Sequence, residues 1–109
     1  MIEIFRRNTL SKPARFVNEQ KNPIDISGYK VKTILKKDND VANNDSNALV
    51  KREELIIDGA NGEFSFYLTS AETNIPAGIY KYEVQLSKNG EIITAYQSKI
   101  KILETYIYE

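Results

Sequence analysis

The chain contains no cysteine, no histidine and no tryptophan. Without cysteine there is no disulfide and no thiolate metal site. Without histidine the commonest general base and the commonest metal ligand are both missing. A Ser-His-Asp triad therefore cannot be built. An excess of charge of either sign is lacking too: 15 Lys and Arg balance 15 Asp and Glu. A net charge of zero gives no long-range attraction toward nucleic acid or an anionic membrane. It also lowers one barrier to self-association. No apolar run approaches the ~20 residues of a membrane-spanning helix. The opening MIEIFRRNTL lacks the continuous apolar stretch of a secretory signal. These absences predict a protein made and folded in a cytoplasm. They predict no enzymatic activity, no cofactor, no metal, no small-molecule substrate, and no nucleic-acid or membrane partner.

What is present points to strands. A chain of 109 residues, 41% hydrophobic and 28% charged, fits a single globular domain with a modest core. Its dominant period is two. Tyr29, Val31, Thr33 and Leu35 alternate with Lys30, Lys32 and Lys36, and Ile34 breaks the polar face. Phe64, Phe66 and Leu68 alternate with Glu63, Ser65 and Tyr67. Tyr80, Tyr82, Val84 and Leu86 alternate with Lys81, Glu83 and Gln85. Each run reads as a strand with one buried and one wet face.

Turn signals divide the strands. Asn89-Gly90 lies between the runs 78–87 and 91–102. That dipeptide supplies the positive φ angles of a type I′ hairpin turn. A glycine-bearing turn over 58–62 links Glu54–Ile57 to Glu63–Leu68, and a bend over 22–28 follows an early strand around Ala14–Asn18. Asp38–Asn47 is rich in Asn and Asp and reads as a loop. Thr69–Asn74 reads as one helical turn, with Thr69 and Glu72 at capping positions. The fold class expected is all-β: an immunoglobulin-like antiparallel β-sandwich of about seven strands, with a small barrel as the alternative. Residues 1–109 form a single domain in this reading.

Few residues offer chemistry. Ser98 and Lys99 are adjacent, so on a strand they face opposite ways. Glu53 and Glu54 diverge for the same reason, and turn and surface roles account for the carboxylates. Asn43, Asp45, Asn47 and Glu54 match four positions of a calcium-loop template, with Val50 at its apolar position. Ala48 stands where that template requires glycine, so a solvated loop is the favoured reading. The ends of the chain carry more. Arg6, Arg7, Lys12 and Arg15 accompany Phe5 and Phe16. Leu103, Tyr106, Ile107 and Tyr108 lie between Glu104 and Glu109. Termini are normally polar unless something holds them, and tyrosine is favoured at interfaces. Phe5, Arg6, Arg7, Tyr106, Ile107 and Tyr108 are the candidate partner-binding residues, within docking ends at 1–10 and 103–109. For the tail, docking on a partner and covering its own core weigh equally.

Three phrases carry a resemblance. They are Asn22-Pro23-Ile24-Asp25-Ile26-Ser27-Gly28-Tyr29, then Gly62-Glu63-Phe64-Ser65-Phe66-Tyr67-Leu68-Thr69, then Ile75-Pro76-Ala77-Gly78-Ile79-Tyr80-Lys81-Tyr82-Glu83-Val84. Their order resembles small immunoglobulin-like structural proteins of tailed bacteriophages and is similar to the N-terminal domain of phage baseplate upper proteins. The resemblance covers about residues 14–102. It implies a virion component present in several copies, assembled in the bacterial host cytoplasm and held by contacts with other virion proteins. It implies no catalytic residue. The chain ends at Glu109 without a downstream receptor-binding or fibre region, so a tail, neck or head-surface adaptor is expected as readily as a baseplate role. A carbohydrate-binding or host-adhesion module on the same fold is the alternative, with Tyr67 and the loop 38–47 as its surface.

Overall fold

The computed structural model describes residues 1–41 and 45–105, with the backbone alone at 93–95. Its strands are β1 (Ile2–Phe5), β2 (Leu10–Arg15), β3 (Lys30–Lys37), β4 (Val50–Asp58), β5 (Glu63–Leu68), β6 (Gly78–Lys88) and β7 (Glu91–Leu103). They are hydrogen-bonded in the order β1-β7-β6-β3-β4-β5-β2. The expected all-β fold is present.

Two layers arise because β4 serves both. Its first half pairs with β3, from Val50 opposite Leu35 to Glu54 opposite Val31. Its second half pairs with β5, with Leu55 opposite Ser65 and a register shift before Asp58. The first layer is therefore β1-β7-β6-β3-β4 and the second β4-β5-β2. The chain of strands folds over at β4 and does not close, since β1 and β2 lie at opposite ends of the order.

The period-two runs bury the faces expected of them. Val31, Leu35, Tyr82, Val84, Leu86, Ile100 and Ile102 line the first layer, and Phe64, Phe66 and Leu68 line the second. Phe16 and Ile26, from the segment between β2 and β3, complete the same core. Full burial of such a side chain stabilises by about 1.5–3 kcal/mol, so these faces dominate the fold.

The turns follow the sequence closely. Asn89 and Gly90 have φ of 54° and 81°, and Lys88 sits opposite Glu91, as a two-residue I′ hairpin requires. Thr69 and Glu72 form a reciprocal capping box: the Thr69 N–H donates to Glu72 Oε1 at 2.8 Å and the Glu72 N–H to Thr69 Oγ1 at 3.1 Å. The Thr73 N–H then donates to Thr69 O at 3.1 Å, closing the single helical turn.

Two details differ from expectation. The early strand runs over Leu10–Arg15 instead of 14–18, and Val17 makes only an isolated bridge to Pro23. Phe16 leaves β2 to enter the core, which ends the strand. Moreover, the sheet is not wholly antiparallel. β1 runs parallel to β7, from Ile2 opposite Ile100 to Phe5 opposite Leu103.

Candidate functional site

The N-terminal candidates lie where β1 ends. Phe5 is half exposed. The Arg6 N–H donates to Leu103 O at 2.7 Å, and its guanidinium donates to Asn74 Oδ1 at 3.0 Å and to Glu104 Oε2 at 3.2 Å. Arg6 thus ties β1 to the capped turn and to the end of β7. Arg7 takes a left-handed φ of 68°, and its N–H reaches Thr73 O at 3.4 Å. The buried Thr73 hydroxyl donates to Asn8 O at 2.7 Å, which fixes the same corner. Phe5, Arg6 and Arg7 therefore cluster, and the two arginines also hold their own domain together. Tyr106, Ile107 and Tyr108 lie outside the described residues.

The other basic and aromatic residues of this segment disperse. Phe16 packs in the core, its ring centre 5.3 Å from that of Phe64. Arg15 pairs with Glu63 across the β2–β5 ladder. No alternating basic–aromatic surface results from these side chains.

The Asn/Asp loop lies over the outer face of the first layer. Lys99 Nζ meets Asp38 Oδ1 at 3.1 Å, Lys32 Nζ meets Asp45 Oδ2 at 3.1 Å, and Lys81 reaches Asp40 O. A groove of about 700 Å³ remains beneath, with Ile34 in its lining. That position explains why Ile34 interrupts an otherwise polar face. The Lys32 hydrogen bond, helped by Lys51, holds the Asp45 carboxyl below the usual carboxylate range. Asp45 also meets Lys51, which points outward from β4, whereas Glu54 points inward and is buried. The calcium template is thus split across the two faces of a strand, and its Asn43 lies outside the described residues. Tyr67 does not line this groove. Its ring carries the Arg52 guanidinium 5.1 Å from its centre.

Glu54 corrects the surface role expected from sequence. Where β4 leaves β5, the Tyr67 N–H loses its ladder partner. The Glu54 carboxylate replaces that partner, accepting the Tyr67 N–H at 2.8 Å. Arg52 lies 3.7 Å from the same carboxylate and 3.4 Å from Glu72. Burial outweighs the Tyr67 hydrogen bond and the Arg52 charge, and it pushes the Glu54 carboxyl up to about 7. Val50, Arg52 and Glu54 share the inward face of β4, but two of the three are charged, so no hydrophobic alternation flags the burial.

The sheet edges are the remaining surfaces. The β2 edge carries Lys12, Pro13 and Arg15, all exposed, which disfavour an added strand. The β1 edge is 4 residues long. β7 is different. It has 13 residues, pairs with β6 from Glu91 to Ile102, and meets β1 only over 100–103. Among the described residues, the stretch 91–99 has a strand on one side only.

Neither a family model nor a curated protein matches the chain. Among solved structures, the N-terminal domain of phage TP901-1 ORF48 superposes on it with a TM-score of 0.65. The two share a fold. The match covers 94% of this chain and 83% of the phage domain at 11% identity. What they share is therefore the arrangement of strands, with the side chains that decide contacts largely different.

Proposed function

We propose that the chain is a non-enzymatic structural component of a tailed-phage virion, placed in the tail, baseplate, neck or head surface, and present in several copies. The observation that carries this reading is the fold shared with a phage protein domain across almost the whole chain. Two further features support it. The three phrases that resemble phage structural proteins occupy the corners of this fold: Gly62 and Gly78 both have positive φ there. The sequence has neither histidine, the commonest general base, nor cysteine, the thiol nucleophile. Contacts with neighbouring virion proteins are made by exposed strand edges, by the Phe5 corner and by residues 103–109.

The test is quantitative mass spectrometry of purified particles. The chain is expected in several copies per particle, at a fixed ratio to the major tail or head protein. Deletion of 106–109 is expected to lower that ratio several-fold while the domain keeps its melting temperature. Absence of the chain from purified, infectious particles would contradict the proposal.

A further inference from the structure

Two hydrogen-bonded strands part under tension in one of two ways. A pull across the ladder opens its bonds one pair at a time. A pull along the ladder loads every bond at once, because the bonds cross from strand to strand. Where the two ends of a chain leave the fold decides which of these occurs. Here the first and last strands, β1 and β7, are neighbours and run parallel. Met1 precedes Ile2, which lies opposite Ile100. The chain beyond Leu103 leaves from the other end of the ladder, where Leu103 lies opposite Phe5. Tension between residue 1 and the segment after Leu103 therefore draws β1 and β7 past each other along their length. An antiparallel pair of terminal strands would bring both ends out together, and the same tension would unzip it.

We infer that the domain bears tension between its two chain ends, with the β1–β7 ladder as its mechanical clamp. The path of the force runs from residue 1 into β1, across to β7 and out after Leu103. The strands β2 to β6 lie off that path until β1 or β7 gives way. β7 is the better anchored of the two, since β6 pairs with it from Gly78 opposite Ile102 to Lys88 opposite Glu91. β1 is held over 4 residues and is the strand that slides. Three sets of contacts resist the slide. Ile2 and Ile4 pack against the core, so displacement brings apolar surface into water. Arg6 crosses to the end of β7: its N–H donates to Leu103 O at 2.7 Å and its guanidinium to Glu104 Oε2 at 3.2 Å. Behind it, the Thr73 hydroxyl donates to Asn8 O at 2.7 Å, and the Arg6 guanidinium also reaches Asn74 Oδ1 at 3.0 Å. β1 is thus backed by its own side chains and by the capped turn against the one motion that tension would impose. Particle incorporation reads the virion proposal, and pulling the free chain reads this one.

Single-molecule pulling of the full chain in two geometries tests it. The chain has no cysteine, so an introduced one is a unique attachment point. Handles at the two chain ends load the ladder along its length. Handles at residue 1 and at Lys99→Cys, next to the Ile100 that faces Ile2, load it across. The same Lys99→Cys chain is pulled both ways, so the substitution itself cancels. At one pulling speed the end-to-end rupture force is expected to be several-fold the higher, because forced unfolding reports the barrier that the load meets first. Ile4→Pro removes the N–H two residues before that of Arg6, on the same side of the strand. It should bring the end-to-end force down toward the cross-ladder value, with melting curves checking that the variant is folded. If Ile4→Pro does not fold, the two geometries decide alone. Equal rupture forces in the two geometries overturn the inference. So does a folded Ile4→Pro chain whose end-to-end force is unchanged.

Discussion

Gly62→Ala is expected to destabilise the domain by about 3 kcal/mol or more, enough to lower the melting temperature by well over ten degrees. Two effects add. Gly62 has φ of 72°, a left-handed backbone that costs a side chain about 1 kcal/mol. A Cβ there would lie 2.6 Å from Phe16 O and 2.7 Å from Ile24 O. Neither oxygen can move cheaply. Phe16 O accepts the Ile24 N–H, and Gly62 O accepts the Phe16 N–H, both at 3.0 Å. The same corner is fastened by the Ile26 N–H, which donates to Gly59 O at 2.8 Å. The glycine thus lets the 59–62 turn approach the segment that delivers Phe16 and Ile26 to the core. Chemical denaturation of the purified variant measures the loss. A change below about 1 kcal/mol would mean that the two segments separate without consequence.

Glu54 makes a second prediction, with a sign that most carboxylates would not show. Its pKa rises on folding, from an ordinary 4.5 to about 7. Between those values the folded protein holds a proton that the unfolded chain has released. Stability must therefore fall as pH rises from about 4.5 to about 7, and level off above. The expected loss is about 1–3 kcal/mol, the lower part reflecting water and Arg52 near the carboxyl. Glu54 Oε2 accepts the Tyr67 N–H, while Oε1 lies 3.7 Å from Arg52 Nε with no hydrogen-bond partner among the described residues. Glu54→Gln keeps an acceptor for the Tyr67 N–H and removes the ionisation. It should match the parent near about pH 5 and exceed it by about 1–3 kcal/mol near about pH 8. Denaturation curves across this range test both arms. A parent protein whose stability rises from pH 5 to pH 7, or a Gln variant with the same slope, would contradict the assignment.

The two cases mark what the sequence discloses. Gly62 sat in a readable turn, and the alternating run from Glu63 announced the strand it opens. The hairpin at Asn89-Gly90 was legible because its chemistry is local: two residues needing positive φ between two strands. The corner built around Arg6 was not. Its partners, Asn74 and Glu104, lie 68 and 98 residues away, and no periodicity encodes such a meeting. Glu54 was hidden for a related reason. Its burial follows from β4 leaving one layer for the other, a choice made by the whole sheet. The short run Ile2–Phe5 looks like an edge strand in any fold, and only β7 explains why it runs parallel. The consequence of that pairing, a long strand covered for only four residues, could be seen only once both neighbours of β7 were known. The sequence reading placed the working parts of the molecule at its termini.

Hydrogen exchange on β7, compared between the dilute free chain and purified particles, tests most directly whether the protein works through a strand edge. Amides within 92–98 that face away from β6 are predicted to exchange rapidly in the free chain and to be strongly protected in the particle. Equally rapid exchange of those amides in both would contradict the role of this edge.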